Sequence, residues 1–108
     1  MHTTGWTLTD WRTAYSTHKE NPKELLTSLV AALDTNDPAW THIVSQAELN
    51  DQLAYLEGKS SAELPLYGIP FAVKDNIDVA GLPTSAACPS YAYEARHSAA
   101  TVARLTEA

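Results

Sequence analysis

The sequence has a single cysteine, Cys88, among 108 residues. One thiol forms no intrachain disulfide, and such sparing use of cysteine is compatible with a reducing cytosol. No apolar run approaches the roughly 20 residues that a membrane-crossing helix needs. The amino terminus has neither the basic start nor the apolar stretch of a secretory signal. These absences lead us to expect a cytoplasmic protein with no membrane partner. Basic residues are also scarce: seven Lys and Arg face thirteen Asp and Glu, for a net charge of −6. That balance argues against a nucleic-acid partner, for which a basic patch is expected. No internal repeat and no low-complexity segment is present. What remains is ordinary for a small globular chain: 44% hydrophobic and 19% charged residues.

Three helices are expected in the first half. Thr7–Thr17 places Leu8, Trp11 and Tyr15 at helical spacing, with Thr7 or Thr9 as cap and Asp10 in the first turn. Asn21-Pro22-Lys23-Glu24 is a helix start, with Asn21 capping, Pro22 in the first helical position and Glu24 where a capping box wants it. Leu25, Leu26, Leu29, Val30 and Leu33 give that helix a broad apolar face, and Asp34–Pro38 stops it. Ala39–Val44 reads as a short strand. Ser45-Gln46-Ala47-Glu48 is a capping box that opens a helix to about Glu57, buried along Leu49, Leu53 and Leu56. His42 has no second ligand at metal spacing and reads as structural or exposed.

The second half is organised around Gly68–Val73, a short apolar run that fits a buried strand. It ends in Lys74-Asp75-Asn76. A lysine there either surfaces into water, as most do, or is held inside a site and used as a base. Ile77-Asp78-Val79 reads as a second short strand or extended turn. Gly81-Leu82-Pro83 turns the chain, Thr84–Tyr93 is expected to be an irregular loop, and Ser98 is expected to cap a last helix. That helix reaches Ala108 with no stop signal, so the sequence is expected to end within a helix. Cys88, with His97 nearby in sequence, is a rival nucleophile, although sequence distance shows no contact and a lone cysteine is usually a small buried hydrophobe. Tyr91 and Tyr93 either pack or face a pocket.

Gly68-Ile69-Pro70-Phe71-Ala72-Val73-Lys74-Asp75-Asn76, followed by Gly81-Leu82-Pro83-Thr84, resembles the start of the amidase signature core. Within that family, Val73–Tyr93 is most similar to the allophanate hydrolases. The resemblance implies an α/β fold, here the N-terminal helices plus the first strands of a mixed sheet, incomplete. It implies two parts, an N-terminal helical layer over residues 1–63 and the start of the core over 64–108. It also implies a hydrolase built on a nucleophilic serine, a second serine in a cis peptide, and a lysine.

The matching lysine is Lys74, which the resemblance makes the general base, acting through the bridging serine. The two serines and their glycine-rich surroundings are expected beyond residue 108, since neither Ser60-Ser61 nor Ser85 has such surroundings. Asp75 and Asn76 are expected to bind backbone in the following turn and support the site. A base must be neutral, so a lysine of free pKa about 10.4 must be depressed by desolvation. A depression of about three units costs roughly 4 kcal/mol of folded stability near neutral pH, recovered as pH rises toward the unfolded value.

The implied substrate is a small-molecule amide, urea-1-carboxylate if the allophanate hydrolase likeness is followed. No metal and no organic cofactor is implied, and room is left for a homo-oligomer formed through the full-length protein. Two other readings stand beside this one. One is another amidase signature member, such as a general amidase or the component of an aminoacyl-tRNA amidotransferase. The other is a non-catalytic interaction module.

Overall fold

The first helix, α1 (Leu8–Ser16), starts where local chemistry makes it start. The Thr7 hydroxyl accepts from the Asp10 N–H at 3.1 Å, and the Thr7 N–H donates to the Asp10 carboxylate at 2.8 Å. Each group satisfies a donor that the first turn would leave open. Trp6 stands before the cap and meets Trp11, four positions into the helix, edge to face at 5.1 Å. This is a hydrophobic staple. It explains why Leu8, expected on the buried stripe, is 52% exposed while Trp11, Ala14 and Tyr15 are buried. Trp6 occupies the place against Trp11.

The computed structural model describes residues 3–108. These fall into two compact units, one running to Pro70 and the other Phe71–Ala108. In the first unit, α2 (Pro22–Ala32) is capped by the Asn21 side chain, which accepts from the Lys23 N–H at 2.8 Å. The capping box expected of Glu24 does not form. The third helix, α3 (Gln46–Leu56), opens with a complete Ser45/Glu48 capping box. The core joins Trp11, Ala14 and Tyr15 of α1 to Leu25 and Leu26 of α2 and Leu49 of α3.

The strand expected over Ala39–Val44 does not form. Asp37 turns the chain, its carboxylate accepting from the Ala39 N–H at 2.9 Å. Val44 then sits just before the Ser45 cap and packs on the core cluster that holds Leu49. Its β-branched shape serves as a staple to α3 rather than as part of a sheet.

The first unit closes on a long-range bond. The Tyr15 hydroxyl donates to the Gly68 carbonyl at 2.6 Å. Gly68 has φ +64, and a Cβ there would stand 2.7 Å from the Tyr15 ring. Glycine is required at this position on both counts.

In the second unit, one antiparallel ladder pairs β1 (Pro83–Thr84) with β2 (Tyr93–Glu94), Pro83 opposite Glu94 and Thr84 opposite Tyr93. Reciprocal backbone bonds from Gly81 N–H to Ala95 C=O (2.9 Å) and from Ala95 N–H to Leu82 C=O (3.1 Å) continue it. The chain between the two strands runs through turns, as the loop expected over Thr84–Tyr93 suggests.

The apolar run ending at Val73 opens in a turn at Gly68 and is no strand, and neither is Ile77–Val79. A strand exists only through ladder partners, and these segments have none among the described residues. The last helix, α4 (Ala100–Glu107), has Ala99 rather than Ser98 at its N-cap and no side-chain cap. The Ser98 hydroxyl is taken by the Ala80 N–H at 3.0 Å. The whole is a small α/β arrangement of four helices and a two-stranded ladder among the described residues. No helix among them is long and apolar enough to cross a membrane.

Candidate active site

Lys74 and Asp75 enter a turn in which the Ile77 N–H donates to the Lys74 carbonyl at 3.0 Å. The Lys74 side chain is exposed. Asp75 does not bind the turn that directly follows it. Its carboxylate accepts from the Ser85 N–H at 3.0 Å, the Ala87 N–H at 3.3 Å and the Ser85 hydroxyl. Its carbonyl accepts from the Ala86 N–H at 2.9 Å. Three successive amides thus converge on the residue next to Lys74. The bonds to the carboxylate hold it below the usual carboxylate range, the Ser85 hydroxyl contributing most, then the Ser85 N–H. Within the same loop, Ala86 (φ 49) and Ala87 (φ 60) lie in the left-handed region. Non-glycine residues pay on the order of 1–2 kcal/mol each for that conformation. Asn76 is exposed, with no side-chain hydrogen bond among the described residues.

A second carboxylate organises the other side of the loop. Asp78 accepts from the Tyr93 hydroxyl at 2.5 Å and the Thr84 hydroxyl at 2.8 Å. The Tyr93 bond, then the Thr84 bond, lowers the Asp78 carboxyl pKa, and the same contact raises the Tyr93 phenol. Thr84 is 3% exposed, a buried polar residue whose hydroxyl is satisfied. Tyr91 and Tyr93 pack edge to face at 5.8 Å, and both rings are exposed.

Among the described residues, no base bonds to the rival nucleophile. Cys88 is exposed and lies 3.3 Å from the Ser90 hydroxyl, which, with the Tyr91 N–H next, lowers the thiol pKa. No hydrogen bond joins it to His97 among the described residues. His42 pairs with Glu48 at 2.9 Å, and that bond is the largest cause of the lowered Glu48 carboxyl pKa. No group of three His, Cys, Asp or Glu side chains is placed to hold a metal among the described residues. A concavity of about 600 Å³ is lined by Gly81, Glu94, Ala95 and Arg96, and Lys74 is not among its walls.

Sequence reasoning did not single out Ser85, Asp78 or Thr84 as site residues. Their partners lie 10, 15 and 6 residues away. A periodicity does not record such pairings.

Residues 24–108 match the Amidase family model. The chain belongs to the amidase family. It is 46% identical over 94 residues to urea amidolyase of Saccharomyces cerevisiae, an alignment covering 83% of this chain and 5% of that protein. A solved structure of Kluyveromyces lactis allophanate hydrolase carrying a serine-to-alanine substitution superposes with TM-score 0.86 at 42% identity, covering 99% of this chain and 18% of that one. A glutamyl-tRNA(Gln) amidotransferase chain of Akkermansia muciniphila is 33% identical over 105 residues, 94% of this chain and 21% of that one. The chain therefore spans about a twentieth to about a fifth of the length of the relatives it matches. These relatives include a urea amidolyase and an allophanate hydrolase, and the α/β arrangement above matches part of the allophanate hydrolase fold.

Proposed function

We propose that this amidase-family chain supplies the lysine-bearing part of a Ser-cisSer-Lys amide hydrolase acting on urea-1-carboxylate and releasing ammonia and carbon dioxide. Residues 1–63 serve as the helical layer and 64–108 as the start of the catalytic core. Lys74 is the general base. In its neutral form it draws a proton, through the bridging serine, from the nucleophilic serine as that oxygen attacks the amide carbonyl. The proton returns to the leaving nitrogen, which departs as ammonia; water then hydrolyses the acyl-enzyme, and the N-carboxycarbamate released breaks down to a second ammonia and carbon dioxide. Both serines come from sequence outside these 108 residues.

A neutral lysine needs a desolvated setting, and Lys74 is exposed in this structure. In the complete site that cover comes from the rest of the amidase domain and from bound substrate. Asp75 and Asn76 support the site, the protein works in the cytoplasm, and no cofactor enters the reaction. The observation that carries the reading is the 42% identity and TM-score of 0.86 to an allophanate hydrolase over 99% of the chain.

The test is a hybrid in which this chain replaces the matching part of the K. lactis allophanate hydrolase. Lys74→Ala should lower its turnover roughly a thousandfold, within the range that general base catalysis supplies. Lys74→Arg should be nearly as damaging, because arginine stays protonated. Turnover within about tenfold of the parent for either variant would make Lys74 structural, since a tenfold change is only about 1.4 kcal/mol of barrier.

A further inference from the structure

We infer that Ser85, with the strained Ala86-Ala87 pair behind it, is a positioning residue that fixes the backbone at Lys74 through Asp75. The inference rests on the hydrolase reading for what Lys74 does, but its geometry stands apart from that reading. Two consecutive carbonyls are pinned: that of Lys74 by the Ile77 N–H at 3.0 Å, and that of Asp75 by the Ala86 N–H at 2.9 Å. The Asp75 carboxylate is held by the Ser85 N–H at 3.0 Å, the Ala87 N–H at 3.3 Å and the Ser85 hydroxyl. The peptide plane that follows the Lys74 Cα is thus held by the turn to Ile77, and the loop holds the next plane and the side chain of Asp75, one residue from Lys74.

The loop keeps an unfavourable shape to make these bonds. Ala86 and Ala87 have φ 49 and 60, where glycine would sit without strain. Strain of this kind persists only where the surroundings over-determine it, and it gathers at functional sites. The charged neighbour is the carboxylate itself, so each donor to it makes a charge-assisted bond, stronger than a neutral one. Of the donors, only the Ser85 hydroxyl belongs to a side chain, so only it can be removed by substitution with the backbone left in place. Ser85 reaches the chemistry only through Asp75 and Lys74. It is not a second nucleophile, because the carboxylate that binds its hydroxyl is also tied to two amides and is not free to carry the proton away.

The experiment uses the hybrid hydrolase with Ser85→Ala and Ser85→Thr, together with a crystal structure of the parent and of Ser85→Ala. We expect Ser85→Ala to lower kcat by at least about tenfold with KM within about twofold, because ground-state binding is untouched. We expect Ser85→Thr, which restores a hydroxyl, to recover kcat to within about threefold of the parent. In the crystal, the Ala86-Ala87 turn should leave the left-handed region and the Lys74 Cα–Cβ bond should reorient. A loss of kcat that Thr does not rescue, or equal kcat in parent and Ser85→Ala, overturns the proposal. A folded parent hybrid that is inactive sinks the hydrolase reading alone. The two crystal structures then decide the positioning role, and superposable Lys74 backbones would overturn it. Should Ser85→Ala not fold, the folded Ser85→Thr and Ser85→Gly hybrids decide it in the same way, the first keeping the hydroxyl and the second losing it.

Discussion

Gly68 and Tyr15 show how one residue's freedom depends on another's bulk. Gly68→Ala would place a Cβ 2.7 Å from the Tyr15 ring at φ +64. Both the clash and the backbone strain oppose it, and together they should cost about 2–4 kcal/mol. The far-UV unfolding midpoint should fall accordingly. The Tyr15 phenol is pushed above its ordinary range by burial first and by Tyr67 second. Its folded pKa is raised, so its contribution to stability is fully present below the unfolded value of about 10 and is lost as pH rises beyond it. The chain should therefore loosen above about pH 10. Tyr15→Phe should remove that alkaline dependence at the cost of roughly 1 kcal/mol for the bond to Gly68. An unchanged alkaline profile in Tyr15→Phe would place the titrating group elsewhere.

At this scale the sequence marked Lys74 and Asp75 but not Ser85, Asp78 or Thr84. A resemblance marks residues by position in a motif. A hydrogen bond across 10 or 15 residues is decided by how the loop closes, and no local pattern records that closure.

Helix starts were the most legible elements, because their chemistry is complete within a few residues. Thr7, Asn21 and Ser45 cap where their side chains allow, and the Thr7 and Ser45 boxes are reciprocal. Thr7→Ala and Ser45→Ala should each cost about 1 kcal/mol, measured by far-UV thermal unfolding. A double variant should be roughly additive, since the two caps share no partner.

What sequence pattern did not reveal in the same elements were the staples. Trp6 and Val44 stand one residue outside the caps, and the expectation of a strand over Ala39–Val44 ignored that a β-branched residue just before a cap has this second use. Ser98 failed as a cap for the complementary reason. Its hydroxyl had a competing donor 18 residues earlier, the Ala80 N–H. The strands were not legible: none forms over Ala39–Val44, Gly68–Val73 or Ile77–Val79, and both ends of the loop expected over Thr84–Tyr93 belong to the ladder. Ladder pairing is a long-range property, and the only ladder among the described residues lies at Pro83–Thr84 and Tyr93–Glu94 rather than at the apolar run before Lys74.

At the scale of the molecule, the two units are unequal in what they bury. The first gathers three helices around Trp11, Tyr15, Leu25 and Leu49. The second buries Thr84, Ala95 and Val102, while Phe71, Ile77, Tyr91 and Tyr93 remain exposed. A unit of this size seldom has a sufficient core without a staple, and Cys88 forms no disulfide.

We propose that this chain works as the lysine-bearing part of an allophanate-hydrolysing amidase. The measurement that tests it most directly is ammonia release from urea-1-carboxylate, by the chain alone and by the hybrid in which it replaces the matching part of the K. lactis enzyme. Steady turnover is expected of the hybrid, and none above the buffer blank of the chain alone. A folded hybrid without turnover would contradict it. So would turnover by the chain alone that survives repurification, which would return Cys88 to consideration as a nucleophile.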